Sequence, residues 1–276
     1  MALGRFFGCP AAWWRLVWRA AQKQIPITEY AVLVQRGLGL IMENLRNLRA
    51  KAKRVLDALR SREQKEPIFI EFSGSPKSGK STCIDTVAHF LRRMGYKVLA
   101  PTEGASKRTP YYLKDDITAF NTWSACYALT HVLEGLYEAD RYHIAILDRG
   151  LFDALVWFEL LATDGVISRR DCKRVHNFLL IKKWRAAISA VFLFKTDPRT
   201  SMKRENRHKL TSDPGRAMNP PFLRALNKAY ERIRRKYSRE FPYFVVIDTS
   251  HGKRTTPRST AARVVRQILD LLAKQQ

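Results

Sequence analysis

Residues 68–82 read Ile68-Phe69-Ile70-Glu71-Phe72-Ser73-Gly74-Ser75-Pro76-Lys77-Ser78-Gly79-Lys80-Ser81-Thr82. The opening run is apolar and of strand length, and from Gly74 the chain spells G-x-x-x-x-G-K-S, with a helical period after it. A strand, a glycine loop and a helix in that order predict a backbone that curls around an anion. Gly74 and Gly79 let it close without a Cβ in the way, so successive amides and the helix N-terminus face a phosphate. The candidate nucleotide-binding residues are therefore Gly74, Ser75, Pro76, Lys77, Ser78, Gly79, Lys80, Ser81 and Thr82. Lys80 is expected to bridge the β- and γ-phosphates of ATP, and the Ser81 hydroxyl to ligate Mg²⁺.

Outward from this loop, Lys97–Ala100, His143–Leu147, Ala190–Phe194 and Tyr243–Ile247 read as further strands, too apolar for a half-exposed sheet. Helical periods fall at about 80–93, 115–140, 152–162, 168–184, 198–208, 219–238 and 258–274. The fold class expected is α/β, a P-loop NTPase fold with a doubly wound, five-stranded parallel sheet and helices on both faces, its ligands at the carboxyl ends of the strands. Residues 1–66 hold no strand-like run. Ile41, Leu45, Leu48, Ala52, Leu56 and Leu59 recur every three or four positions there, so 1–66 reads as an α-helical extension before a domain at 67–276.

The chain has 276 residues, 46% of them apolar, with 50 Lys and Arg against 25 Asp and Glu, a formal charge of +25. Intrinsic disorder is excluded by that apolar share. No apolar run approaches the ~20 residues that cross a bilayer, and the mean hydropathy is -0.31. Charge of this size calls for a polyanionic partner, nucleic acid among them, or an anionic surface. Cys9, Cys83, Cys126 and Cys172 are far apart, which suggests neither a zinc site nor a disulfide framework and fits a reducing, cytoplasmic setting. The extension holds 13 basic and 5 acidic residues. Its first 28 carry no acid, and set Arg5, Arg15, Arg19 and Lys23 beside Phe6, Phe7, Trp13, Trp14 and Trp18. Docking on a partner or second subunit, organelle targeting and attachment to a membrane surface all fit such a segment.

Ala145-Ile146-Leu147-Asp148 ends the third strand, and Arg149 follows. A hydrolytic site wants a second carboxylate there to activate water. A guanidinium instead suits a second phosphate or an anionic acceptor, which argues for transfer. The alternative is an Arg that merely neutralises the strand-end Asp. Asp148 is a candidate metal-shell residue beside Ser81. Phe120, Trp123 and Tyr127, three and four apart, either stack an acceptor base or pack on the sheet. A mobile, cation-bearing lid is expected at about 199–220, where Arg199, Lys203, Arg204, Arg207, Lys209 and Arg216 cluster; Arg204 and Arg207 share a helical face.

Residues 67–276 resemble the nucleoside and nucleotide kinases of the P-loop superfamily, thymidylate kinase above all. The likeness rests on family order: Ile70-Glu71-Phe72-Ser73-Gly74 before the loop, Gly95-Tyr96-Lys97-Val98-Leu99, Asp148-Arg149, Asp197-Pro198 opening the helix with Arg204, and Val246-Ile247-Asp248-Thr249-Ser250 near the end. It implies an ATP- and Mg²⁺-dependent kinase domain in which Arg149 grips the acceptor and Glu103, after the second strand, serves as base or in the metal shell. Lys77 and the lid arginines Arg204 and Arg207 would neutralise the transferred phosphate. Two departures bear on the acceptor: Pro76 stands where thymidylate kinases carry an acid on the sugar hydroxyl, and Gly104 where they often have Pro. The Pro-containing loop is similar to that of polynucleotide 5'-hydroxyl kinases, so a polymer end stands beside a nucleotide or nucleoside as acceptor. A third reading is an ATP-binding regulatory or scaffold protein with a degenerate kinase site and a nucleic-acid or subunit partner.

Overall fold

The computed structural model describes residues 27–61, 67–100, 108–138, 141–207, 217–250 and 256–274. Several residues singled out above lie outside them: the tryptophan-rich start, Glu103 and Gly104, and Lys209 and Arg216 of the expected lid. Two compact units are present, residues 1–51 and 52–276. The first is described from Ile27 onward as helix. Helix α1 (Ile27–Arg60) gives its residues 52–60 to the second unit, where Ala52, Val55, Leu56 and Leu59 are buried.

The second unit is a five-stranded parallel sheet in the order β2-β3-β1-β4-β5, formed by β1 (Ile68–Gly74), β2 (Val98–Leu99), β3 (Ile144–Asp148), β4 (Ile188–Lys195) and β5 (Phe244–Asp248). The central β1 is buried at every position, as a strand covered on both faces must be. Register aligns the carboxyl ends: Phe72 lies opposite Asp148, Gly74 opposite Phe194, and Lys195 opposite Asp248. Successive β1 and β4 rings hold this middle together, with Phe72 5.5 Å from Phe192 and 5.6 Å from Phe194. Gly74 is required where the two strands meet: a Cβ there would lie 2.2 Å from the Phe194 carbonyl oxygen.

Helices α2 (Lys80–Arg93), α3 (Ile117–Tyr137), α4 (Leu151–Thr163), α5 (Arg169–Leu179), α6 (Lys182–Arg185), α7 (Pro198–Arg207), α8 (Pro220–Tyr237) and α9 (Pro257–Lys274) fall close to the expected spans. Three limits differ for local reasons. α3 starts at Ile117 because the Asp116 carboxylate caps the amides of Thr118 and Ala119. The single helix expected at 168–184 is two, since the chain leaves the helix at Leu180 and re-enters at Lys182. β2 is shorter than Lys97–Ala100; it pairs only with β3, at Val98 and Leu99. Past α2 the chain turns through Gly95 (φ +91) to Tyr96, whose buried hydroxyl donates to the Ala52 carbonyl at 2.7 Å.

α3 reaches β1 through Gly135, where an added Cβ would stand 2.6 Å from Phe69 Cζ and 2.7 Å from its Cε1. Alanine improves helix propensity by about 1 kcal/mol, while overpacking a close-fitted core costs about 1–3 kcal/mol. The Phe69 ring is 1% exposed and has no room to swing. Gly135→Ala should therefore lower the midpoint of urea unfolding with the m-value unchanged; a midpoint at or above wild type would refute this packing.

Candidate functional site

The phosphate loop leaves β1 at Gly74 and enters α2 at Lys80. Side chains from the far side of the sheet hold its carbonyls. Ser201 Oγ donates to the Pro76 oxygen at 3.1 Å, Arg204 Nη1 to the Lys77 oxygen at 2.9 Å and Thr249 Oγ1 to the Ser78 oxygen at 2.7 Å, while the Ser78 amide returns to the Ser75 oxygen at 3.2 Å. With the carbonyls drawn to α7 and the end of β5, the α2 N-terminus opens inward. Gly79 caps it in the left-handed region at φ +94 with no side-chain acceptor, so the first-turn amides are placed for an anion. The Ser75 and Ser78 hydroxyl oxygens are buried with no hydrogen-bond partner among the described residues, which fits a phosphate cradle. Lys80 is 6% exposed at the helix start.

Ser81 Oγ donates to Asp148 Oδ2 at 3.2 Å, joining the first turn of α2 to the end of β3. A hydroxyl and a carboxylate this close match the sparse, all-oxygen protein ligation that Mg²⁺ takes when phosphates and water complete its shell.

Beneath the loop lies a buried polar network. Glu71, fully buried on β1, accepts from the amides of Phe152 at 2.9 Å and Asp153 at 2.8 Å and from Ser73 Oγ at 2.5 Å, so it caps α4 from another element. Burial pushes its carboxyl up from 4.5 to about 7, against the pull of those three donors. Asp153, 2% exposed, accepts from Arg149 Nη1 at 2.7 Å, from Trp157 Nε1 at 3.0 Å and from the Tyr230 hydroxyl of α8. The Gly74 amide is shared between Asp153 Oδ1, at 3.4 Å, and Tyr230 Oη, at 3.2 Å. Burial and then the Asp153 charge raise Tyr230 well above an ordinary phenol. For Arg149, burial works against the charged form, but the Asp153 carboxylate outweighs it and keeps the guanidinium protonated. Lys77 (φ +58) and Arg149 (φ +65) are the non-glycine residues at positive φ among those described, and both belong to this site.

A cleft of about 250 Å³ opens beside the loop. Pro76 and Ala217 edge it, Phe120, Tyr127 and His131 come from α3, Leu147 to Gly150 form its floor, and Asp153 and Trp157 come from α4. Tyr127 Oη and His131 Nε2 are buried without partners.

The structure thus gathers the loop, Ser81, Asp148, Arg149, Phe120 and Tyr127 at one end of the sheet. It does not place every candidate there. Trp123 is absent from the cleft lining and stacks on Tyr127 at 5.0 Å. Arg204, expected on a transferred phosphate, instead donates to the carbonyls of Lys77 and Thr249, the latter at 2.7 Å; a guanidinium meets a carbonyl as readily as a phosphate, and the carbonyls are in reach. Lys77 pairs with Glu205 at 2.7 Å, and Arg207 is exposed at the end of α7. Arg149 pairs with Asp153 rather than standing as a simple counter-ion to Asp148. Missed from sequence were Glu71, Asp153, Trp157 and Tyr230. A lone acid in an apolar strand was the available signal for Glu71, and an acid four residues after Arg149 on a helix the signal for Asp153.

No protein-family model and no curated protein matches the chain. Solved structures do. Deoxyadenosine kinase from M. mycoides with bound dCTP shares 19% identity and a TM-score of 0.50 over 74% of this chain and 99% of that one. The same enzyme with the products dCMP and a flexible dCDP matches at 18%, 0.52, 74% and 99%, and with bound dATP at 18%, 0.51, 74% and 100%. At this identity the likeness establishes the fold alone, the one those three structures share.

Because the folded Glu71 carboxyl holds a proton that the unfolded chain has released, its stabilising contribution is complete below pH 4.5 and lost as pH rises to about 7. Glu71→Gln cannot titrate. Between those limits the stability difference should shift in favour of the variant by ~3 kcal/mol, measured by urea unfolding of both proteins across the window. A pH-independent difference would contradict a raised carboxyl.

Proposed function

We propose that this chain is an ATP-dependent phosphotransferase of the P-loop nucleoside and nucleotide kinase type, with residues 67–276 as the kinase domain, 199–220 as its lid and 1–66 as a basic extension. The observation that carries the reading is the cleft that runs from Pro76 of the phosphate loop to Asp148 and Arg149. An acceptor seated there has its reacting end next to the terminal phosphate of a nucleotide in the loop. The lining is mainly apolar and aromatic, as expected for one base and one sugar. The deoxyadenosine kinase that shares the fold is named for a nucleoside and is seen with dCTP, dATP, dCMP and dCDP, which supports an acceptor built on one base and one sugar.

Charge decides further. Arg149 and Asp153 neutralise one another, and Asp148 turns to Ser81, so among the described residues the floor offers no surplus cation to an acceptor phosphate. A neutral nucleoside is favoured over a nucleotide, and either over a polynucleotide end, which would need a basic channel.

In the proposed reaction the loop amides and Lys80 hold the donor phosphates, and Arg149, fixed by Asp153, steadies the reacting groups. Glu103 takes the acceptor hydroxyl proton as the oxygen attacks the γ-phosphorus, and the bond from that phosphorus to the β,γ-bridging oxygen breaks to release ADP. Ser81 and Asp148 would hold Mg²⁺, which supplies charge neutralisation on the phosphate oxygens. With Arg204 tied to carbonyls, the lid's contribution falls to Arg207 and its neighbours.

Labelled γ-phosphate transfer from ATP to a panel of nucleosides, nucleoside monophosphates and 5'-hydroxyl oligonucleotides tests this. Nucleosides should be the best acceptors, and Lys80→Ala should lower transfer by at least ~100-fold. ATP binding with no transfer to any acceptor would favour the scaffold reading, and preference for oligonucleotides the polymer-end kinase.

A further inference from the structure

A second concavity, about 360 Å³, lies between α5 and α8. Glu159, Cys172 and His176 place their ligand atoms within 4.8 Å of one another at its base, but they do not make a metal site. His176 Nε2 is bonded to the Leu155 carbonyl at 2.9 Å and its Nδ1 to Tyr237 Oη at 3.4 Å, while Glu159 is paired with Arg169 at 3.0 Å and Arg232 at 3.2 Å. The rim is cationic: Arg169 and Lys173 on one wall, Arg232 and Lys236 on the other. Against those four, Glu159 is the one acid of the lining, and Lys173 and Lys236 have no ion pair among the described residues.

This groove continues along α8. Arg224, Lys228, Arg232 and Arg235 recur every four, four and three positions and are all exposed, and exposed Arg239 follows in the 3-10 turn Ser238–Glu240. At a rise of about 1.5 Å per residue the row on α8 is about 16 Å long. Residues 169–179 and 220–240 together with Glu159 hold eleven Lys and Arg against four Asp and Glu.

We propose that the α5–α8 groove and the exposed row on α8 form a docking track for the phosphodiester backbone of a nucleic acid, bound without regard to base sequence. Charge complementarity selects the partner: regularly spaced cations on a rigid helix match a chain of regularly spaced phosphates. An anionic bilayer is the other polyanion available, but a membrane-surface helix turns its apolar face to the lipid. Here that face, with Leu223, Leu226, Ala229 and Ile233, is buried in the domain, and no large hydrophobic residue of α8 is exposed. Aromatic platforms for stacking bases are likewise missing from the exposed face of α8, hence backbone recognition without sequence readout. The track is independent of the acceptor cleft and does not rest on the kinase reading.

The test is fluorescence anisotropy of the full chain with labelled single- and double-stranded RNA and DNA of several sequences over a range of salt. Binding should vary little with sequence and weaken steeply with salt. Lys173→Gln, Lys228→Gln and Lys236→Gln combined should lower the magnitude of the log Kd against log salt slope by about 2–3 and weaken binding by at least about tenfold at about 0.1 M salt. Arg263→Gln with Arg266→Gln on exposed α9 is the charge control and should cost much less per cation removed. An equal loss per cation in the control, an unchanged slope in the triple variant, or loss of binding to phosphatidylserine vesicles in place of nucleic acid would overturn the proposal.

Discussion

Two carboxylates buried under the phosphate loop, Glu71 and Asp153, set the position of everything above them. Neither can be desolvated without partners. Glu71 is satisfied by two amides of α4 and a serine, which fixes where that helix begins against β1. Once α4 is placed, Asp153 falls beside the Gly74 amide, the Arg149 guanidinium and the Tyr230 hydroxyl. One strand, the helices α4 and α8, the turn that carries Arg149 and the first amide of the loop are joined through two side chains.

The same network accounts for an unfavourable backbone. A non-glycine residue in the left-handed region costs about 1–2 kcal/mol. A hydrogen bond to a charged group returns about 1.5–3 kcal/mol, and Arg149 has such a bond with Asp153, as well as the Trp157 face 5.7 Å away and its own amide on the Phe72 carbonyl at 3.0 Å. The contacts therefore outweigh the strain, and the guanidinium is aimed by its environment rather than by its own backbone preference. That is how a long flexible side chain becomes a fixed part of the cleft floor.

Strands buried on both faces announce themselves by apolar runs, and the glycine loop by its spacing, so the fold and the nucleotide end of the proposed site were legible in the sequence. The break between α5 and α6 was not: no Gly or Pro marks residues 180–181, and the apolar period runs on through Trp184. Arg204 shows a different limit. Its place on a helix was legible from the helical period, yet whether a guanidinium there meets a phosphate or a carbonyl depends on how α7 approaches Pro76 and Lys77, which no local pattern encodes. Tyr230 lies 77 positions from Asp153, and nothing near it in the chain signals a buried phenol bonded to a carboxylate.

Charge and proposed chemistry are segregated in this molecule. On the cleft floor Arg149 and Asp153 cancel within hydrogen-bond distance, and the Asp148 carboxylate is held by the Ser81 hydroxyl. Cations such as Arg224, Lys228 and Arg235 lie instead at exposed positions on α8, where water screens them. A polyanion on α8 would thus leave the floor electrostatics unchanged, yet it would rest on the helix that supplies Tyr230 to the Gly74 amide. Any influence of such a partner on the phosphate loop must pass through the placement of that helix, and so through the Tyr230 to Asp153 bond, rather than through the field of its phosphates.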